Sequence, residues 1–333
     1  MNVNHWILSW LALYLMACSP TLDAQDGLKE ETGATTTAYD VPPCEVDETL
    51  PVRQHPDLQT FTFEDFPVFA LIPPNPRALV FAFHGSGGQA SFLNGIHPTQ
   101  IWNAMYDAQI AVVGSESTDR KHGVWLGNDD LDENIDMQRM ARLRDHLIAT
   151  TEVEEDAPVF GWGFSNGGGF VGDFLVMADE LSWPVAGGLI HNSVLQQAVD
   201  VPVWFTTNEN DGITPSTKAS AEQHAERGLD APYVERSERS WQVDDMLLNP
   251  SYDEEESQAV FDELVAFEFI DASGARLRTL DNLEAAMRYY SNNSTLPGPD
   301  RVTTLLRVVW ATHRTSGSFA CEERDFVLRH LSR

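Results

Sequence analysis

The sequence contains few basic residues. Of its 333 residues, 21 are Lys or Arg and 51 are Asp or Glu, which gives a formal net charge of −30. Such a chain repels nucleic-acid phosphates and anionic lipid surfaces at long range, so we expect no nucleic-acid partner. The charge favours a role in solubility, as in a saline habitat, over a role in steering a substrate.

A long uninterrupted apolar run is also missing. The run at residues 6–17 is too short to cross a membrane as a stable helix, and Cys18 follows it. Residues 15–18 (LMAC) resemble the bacterial lipoprotein signal, in which the cysteine is lipidated. We therefore interpret residues 1–17 as a signal peptide and Cys18 as the lipidation site. A simple secretory signal and an uncleaved anchor are the alternatives.

This interpretation implies export to the bacterial periplasm or cell surface, with membrane contact only through the lipid at Cys18. The polar, acidic residues 18–44 have little to bury, so they are expected to form a flexible linker before a folded domain at 45–333. The two remaining cysteines, Cys44 and Cys321, lie near the two ends of that domain. They could form a disulfide in an oxidising compartment, or stay as two partly buried thiols.

Metal-binding motifs are absent from the sequence: it has no H-E-x-x-H and no cysteine cluster. It also shows no internal repeat. With 42% hydrophobic residues, the chain can bury a sizeable core, as in one large α/β domain or two small ones.

Short apolar runs alternate with helical patterns, which predicts an α/β fold with a mostly parallel central sheet and helices on both faces. Strands are predicted at 60–71 (two, with a bend at Pro67), 78–83, 110–113, 158–164, 185–190, 201–207 and 307–311. Helices are predicted near 99–108, 134–150, 169–177 and 323–331.

One stretch does not follow this alternation. Residues from about 227 to 300 are predicted to form a large insertion before the last strand, because the connection there is far longer than usual. Helices are expected at 254–264 and 283–290, and a hairpin around 272–274. The insertion either shapes a substrate cleft or is a structural decoration.

The most informative stretch is G-x-S-x-G at Gly163, Ser165 and Gly167, between an apolar run and a helical pattern. A strand that turns into a helix at once holds the serine in a strained conformation and exposes its hydroxyl. Side chains two positions before and after the serine would clash in such a turn, and glycine has none. Ser165 is therefore a candidate nucleophile; the alternative is a Gly-rich turn without a catalytic role.

A glycine-rich loop, His84-Gly85-Ser86-Gly87-Gly88, follows the buried run at 78–83. This loop and the G-x-S-x-G motif resemble those of the α/β-hydrolases, in which the loop and the residue after the nucleophile form the oxyanion hole. The resemblance implies that the backbone N–H groups of Ser86 and Asn166 form it here. For His84 we favour a structural role that braces the loop over a catalytic one.

The candidate acid is Asp211, which comes four residues after the predicted strand 201–207. A carboxylate there would lie at the same rim of the sheet as Ser165. An Asx-turn role for Asp211 is the alternative, and Glu209 is the competing acid.

The candidate base is His313, which follows the predicted last strand and precedes the closing helix. The order Ser165, Asp211, His313 is then nucleophile, acid, base. The other histidines are in less suitable places: before the expected position, on helices, or after a different strand. They are His55, His97, His122, His146, His191, His224 and His330.

These motifs, HGSGG, GFSNGG, the NENDGITP turn and the late histidine, resemble the α/β-hydrolase superfamily of serine esterases. Within it, HGSGG followed by G-x-S-N-G-G resembles the polyhydroxybutyrate depolymerase and feruloyl esterase-like branch, which is typically secreted. The resemblance implies hydrolysis of a small-molecule or polymer ester through an acyl-enzyme, without a cofactor or metal. The alternatives are a serine peptidase, an acyltransferase, or a silent fold that binds surfaces through Trp125, Trp162, Trp204 and Trp241.

Overall fold

The structure is a computed structural model that describes residues 41–45, 51–128 and 130–331. The predicted signal peptide, Cys18 and most of the predicted linker lie outside these residues. No helix among the described residues is long and apolar enough to cross a membrane.

An eight-stranded sheet organises the domain, in the order β1-β2-β4-β3-β5-β6-β7-β8. Its strands are β1 Gln59–Phe63, β2 Phe66–Leu71, β3 Ala78–Phe83, β4 Ile110–Ser115, β5 Val159–Phe164, β6 Val185–His191, β7 Val203–Asn208 and β8 Tyr233–Arg236. Strands β3 to β8 pair in parallel, whereas β1–β2 and β2–β4 pair antiparallel. This strand order is that of the α/β-hydrolase fold, so the predicted fold class is confirmed.

Eight α-helices are present in the described residues. They are α1 Ile96–Asp107, α2 Ile135–Thr150, α3 Asn166–Glu180, α4 Thr214–Glu226, α5 Glu254–Ala266, α6 Leu283–Asn293, α7 Pro299–Val309 and α8 Ala320–Arg329. Of these, α1 to α4 lie between strands of the sheet, and α5 to α8 follow its last strand.

The two faces of the sheet carry separate hydrophobic cores. Along β3, Leu79, Phe81 and Phe83 face the core that also contains α2, α3 and part of α4. The alternate residues Val80 and Ala82 face the core with α1 and α8. Side chains alternate across a strand, so a strand covered on both faces reads as a continuous apolar run.

The prediction for the end of the sheet is wrong. Residues 307–311 are not a strand: α7 ends at Val309, and the last strand is β8. A short apolar run cannot by itself distinguish a strand from a buried helix turn. The wider pattern is helical, because Val302, Leu305, Leu306 and Val309 are all buried at helical spacing.

The large insertion therefore follows the last strand instead of preceding it. We call residues 237–311 the helical segment, since α5, α6 and α7 dominate it. It has its own hydrophobic core, to which Trp241, Leu264, Tyr290 and Trp310 contribute. The predicted hairpin near 272–274 is reduced to a single antiparallel bridge between Ile270 and Arg276.

Two further sequence expectations concern cysteine and tryptophan. Cys44 and Cys321 form a disulfide, with Cα atoms 5.5 Å apart, which links the first described residues to α8. The four tryptophans proposed as an alternative binding surface are buried, each with 5% exposure or less: Trp125, Trp162, Trp204 and Trp241. They pack inside the domain, so they cannot form such a surface.

Candidate active site

Ser165 lies at the turn between β5 and α3. Its backbone has φ 55° and ψ −120°, a conformation that non-glycine residues rarely adopt and that costs on the order of 1–3 kcal/mol. The flanking glycines make the turn possible: a Cβ on Gly163 would collide with the Gly167 carbonyl oxygen, and one on Gly167 with the Phe83 carbonyl oxygen. Ser165 N–H donates to the His191 carbonyl at 2.9 Å, which ties the turn to β6.

The structure brings Ser165, His313 and Asp211 together in one hydrogen-bonded chain. His313 Nε2 lies 2.8 Å from Ser165 Oγ, and His313 Nδ1 lies 2.6 Å from Asp211 Oδ2. An ionised carboxylate can only accept, so the proton is on Nδ1. Nε2 is then free to accept the hydroxyl proton of Ser165, as a general base requires.

Asp211 follows β7 and is held by several donors. Its side chain is 7% exposed. Asn192 Nδ2 donates to Oδ2 at 2.5 Å, and the Ile213 N–H donates to Oδ1 at 3.2 Å. Burial raises the pKa of Asp211, but the hydrogen bonds from His313 and Asn192 outweigh it, so the pKa is lowered and the carboxylate is ionised at neutral pH.

The competing acid, Glu209, points elsewhere. Its Oε2 accepts from the Glu238 N–H at 3.0 Å, at the start of the helical segment. Among the described residues, the hydrogen bonds of the His313 ring are to Ser165 and Asp211, and Glu209 takes no part in them.

His313 comes after α7 and not after a strand, so another device must place it. Asn208, the last residue of β7, donates through Nδ2 to the carbonyls of Thr312 and Arg314, at 2.7 and 2.8 Å. Asn210 Nδ2 donates to the Trp310 carbonyl at 2.9 Å. The carboxyl end of β7 thus holds the backbone on both sides of His313.

Sequence reasoning missed these three asparagines. Asn208 and Asn210 lie in the same turn as Asp211, but the carbonyls to which their side chains donate lie about a hundred residues later in the chain. Asn192 directly follows β6, has φ 50° and is buried. A polar residue at the carboxyl end of a buried strand beside the serine strand was the available signal.

Of the two predicted oxyanion-hole residues, Asn166 directly follows Ser165, and Ser86 directly follows Gly85, which lies close to Ser165. Asn166 is the first residue of α3, so its N–H has no partner within the helix. Its side-chain Oδ1 accepts from the Trp125 N–H at 2.8 Å. On the opposite side, the loop of Ser86 lies against the serine, since a Cβ added to Gly85 would lie 3.2 Å from Ser165 Cβ.

His84 has the bracing role that we favoured. Its ring is buried, Nδ1 donates to the Gly85 carbonyl at 2.8 Å, and Nε2 accepts from the Ser117 N–H at 3.2 Å. Burial lowers the pKa of His84, consistent with a neutral ring that holds the glycine-rich loop.

A cavity of about 1010 Å³ lies beside the triad. Phe164, directly before the serine, and Arg314, directly after the histidine, both line it. Other walls come from residues 52–54, from 92–99 at the start of α1, and from the helical segment at 249–251 and 300–308. The helical segment therefore forms part of the wall of a cavity that reaches Phe164 and Arg314, and a role of the insertion in shaping a substrate cleft stays a prediction.

Groups of His, Cys, Asp or Glu that could hold a metal ion are not found among the described residues.

Neither a protein-family model nor a curated protein sequence matches the chain. Solved structures similar to it include an arylesterase, at 13% identity and TM-score 0.40, over 57% of this chain and 79% of that one. An esterase from Pyrobaculum calidifontis matches at 13% identity and TM-score 0.42, over 66% of this chain and 86% of that one. A ferulic acid esterase matches at 9% identity and TM-score 0.42, over 54% and 88% of the two chains. Likeness at this level does not identify a reaction or a substrate for this chain.

Proposed function

We propose that the protein hydrolyses carboxylic esters through an acyl-enzyme on Ser165. The observation that carries this proposal is the continuous path from Ser165 Oγ through His313 to Asp211, with steps of 2.8 and 2.6 Å. Both distances are within the reach needed for proton transfer and orientation.

In the first half of the reaction, His313 Nε2 takes the hydroxyl proton as Ser165 Oγ attacks the ester carbonyl carbon. Asp211 keeps the proton on Nδ1 and stabilises the positive imidazolium that forms. The tetrahedral oxyanion accepts hydrogen bonds from the N–H groups of Ser86 and Asn166. When the intermediate collapses, the alkoxide leaves with the proton from Nε2, and the acyl group stays on Ser165.

In the second half, water replaces the alcohol. His313 removes a proton from water, the hydroxide attacks the acyl carbon, and Ser165 Oγ leaves as its proton returns from the imidazole. The strained backbone of Ser165 keeps the hydroxyl in place throughout, because β5, α3 and the β6 contact fix both sides of it.

The test is labelling with a fluorophosphonate probe, which reacts with activated serines. The wild type is expected to be labelled, and Ser165→Ala is expected not to be. Absence of labelling in a folded wild type would leave a silent binding module as the better interpretation. Short-chain esters compared with peptide anilides then separate an esterase from a peptidase on the same fold.

We also propose that the protein is exported and anchored by a lipid on Cys18. The Cys44–Cys321 disulfide supports export, because such bonds persist in oxidising compartments. Mass spectrometry of the mature protein from a bacterial host tests this: a diacylated residue 18 at the amino terminus is expected, and its absence in a processed protein would favour simple secretion.

A further inference from the structure

The cavity beside the triad has the opposite charge to the rest of the chain. Arg53, Arg301 and Arg314 line it, and the only carboxylate among the described lining residues is Asp300. The whole chain has more than twice as many acidic as basic residues. Three arginines around one cavity are therefore a local reversal of charge.

These arginines also differ from others in how they are paired. Arg276 pairs with Glu238, and Arg307 with Glu284, as acidic neighbours are abundant. By contrast, Arg53, Arg301 and Arg314 form no ion pair within residues 41–45, 51–128 and 130–331. No salt bridge within these ranges neutralises the positive charges at the cavity.

Arg314 is the closest of the three in sequence to the reacting groups, directly after His313. Asn208 fixes its carbonyl, and its N–H donates to the Thr312 carbonyl at 2.7 Å. Burial, and to a lesser extent the charge of Arg307, lowers the pKa of Arg314. The charge of Glu284 acts in the opposite direction on Arg314, but Glu284 forms its ion pair with Arg307, and within the described residues the Arg314 guanidinium donates only to the His313 carbonyl, at 3.2 Å. A carboxylate in the cavity could therefore supply a two-pronged contact to this partly desolvated group.

The part of the lining that the structure describes contains one other basic side chain, that of His97. Burial, followed by the charge of Arg236, lowers the pKa of His97 to about 4, so this ring is neutral at pH 7. The positive charge of the cavity therefore comes from its arginines.

We propose that the substrate is an ester with a free carboxylate on the part that enters this cavity, and that Arg314 binds this carboxylate. The chemistry fits a half-ester of a dicarboxylic acid or an ester of a hydroxy acid. This inference rests on the proposed ester hydrolysis and adds a substrate class to it.

The experiment compares esters that differ in one carboxylate. Monoethyl glutarate against ethyl valerate places the charge on the acyl side, and 4-acetoxybenzoate against phenyl acetate places it on the alcohol side. We expect kcat/KM to be at least about ten-fold higher for the anionic ester in one pair, since a hydrogen bond to a charged group contributes roughly that factor or more. Higher or equal values for the neutral ester in both pairs would overturn the inference while leaving ester hydrolysis intact.

Matched arginine variants then assign the effect. Arg314→Gln is expected to reduce the ratio of anionic to neutral kcat/KM about ten- to hundred-fold, and Arg314→Lys less. Arg288→Gln, which removes the same charge from an exposed residue of α6, should leave the ratio unchanged. Equal ratios in the two glutamine variants would show that the preference does not come from Arg314.

A binding measurement covers the cases without turnover. If Ser165 is labelled but no ester in the panel is cleaved, glutarate should slow labelling of the wild type more than of Arg314→Gln. If there is no labelling at all, the proposed function fails. Calorimetry with glutarate, on the wild type and on Arg314→Gln, then tests separately whether the cavity binds a carboxylate. If Ser165 is labelled but glutarate does not slow the labelling, the inference is contradicted. If Ser165 is not labelled, the inference is contradicted when glutarate does not bind or binds equally well to Arg314→Gln.

Discussion

The sheet and the helical segment contribute to the site in different ways. The sheet places Ser165, Asp211 and Asn192 directly, because each follows the carboxyl end of a parallel strand. The helical segment contains no strand of the sheet, has its own core, and leads to His313. It also forms one wall of the cavity.

This difference shows that two parts of the site are held in position by different interactions. Strand ends are fixed by the ladder of backbone hydrogen bonds and by cores on both faces. His313 has no such ladder, and side-chain amides of Asn208 and Asn210 hold its segment to the rim instead. The predictions that follow test this contrast, from the largest expected effect to the smallest.

Removing the proposed nucleophile or the proposed base should have the largest effect. Ser165→Ala and His313→Ala are each expected to reduce kcat by on the order of 10⁴-fold or more, although one residue follows the sheet and the other the helical segment. Ester hydrolysis is the measurement, with far-UV circular dichroism as the control for folding. A His313→Ala variant with near wild-type turnover would remove this residue from the mechanism.

Cavities in the two regions should have different consequences. Leu79→Ala in the sheet and Leu306→Ala in the helical segment both remove fully buried side chains, so each should cost about 2–5 kcal/mol of stability. In Leu306→Ala, activity should disappear at a lower urea concentration than the dichroism of the sheet, because the helical segment can open separately. In Leu79→Ala, activity and the dichroism of the sheet should be lost at the same urea concentration. Coincident transitions in both variants would mean that the two regions unfold as one unit.

Loosening the link between the regions should have an intermediate effect. Asn208→Ala frees the carbonyls on both sides of His313, and a small displacement of a catalytic group can cost roughly 100-fold in rate. We expect kcat to fall about ten- to hundred-fold with little change in KM. Asn293→Ala, which loses a side-chain bond to the Tyr289 carbonyl at 2.7 Å at the exposed end of α6, is the matched control. Equal effects of the two changes would contradict the role given to Asn208.

The smallest expected effect concerns stability at low pH. The folded-state pKa of Asp211 is lowered, so its contribution to stability is complete above the unfolded value, near 4, and is lost as the pH falls through the folded value. At pH 7 the wild type should have a higher urea midpoint than Asp211→Asn, and this gap should narrow below about pH 4. A difference in urea midpoint between the wild type and Asp211→Asn that stays constant from pH 7 to pH 3 would contradict this contribution of Asp211.

Most of the sheet was predictable from local patterns. The apolar runs before Ser86, Ser165 and Asp211 are strands, and the predicted helices at 134–150 and 254–264 are present with small differences in bounds. The run at 307–311 was assigned to the wrong class, because its four consecutive apolar residues, 308–311, fit a strand and a helix turn equally well. The resemblance to the polyhydroxybutyrate depolymerase and feruloyl esterase-like branch stays a prediction.

By itself, the sequence determined the turn at Ser165 and the order in which the proposed nucleophile, acid and base occur, because glycine spacing and strand patterns act over a few residues. Only the tertiary structure decided how His313 is held, that Asn192 supports Asp211, and that Arg53, Arg301 and Arg314 meet at one cavity. These contacts join residues that are tens to hundreds of positions apart, and no local pattern encodes which distant backbone a side-chain amide will bind. The packing of the helical segment against the rim of the sheet brings them together.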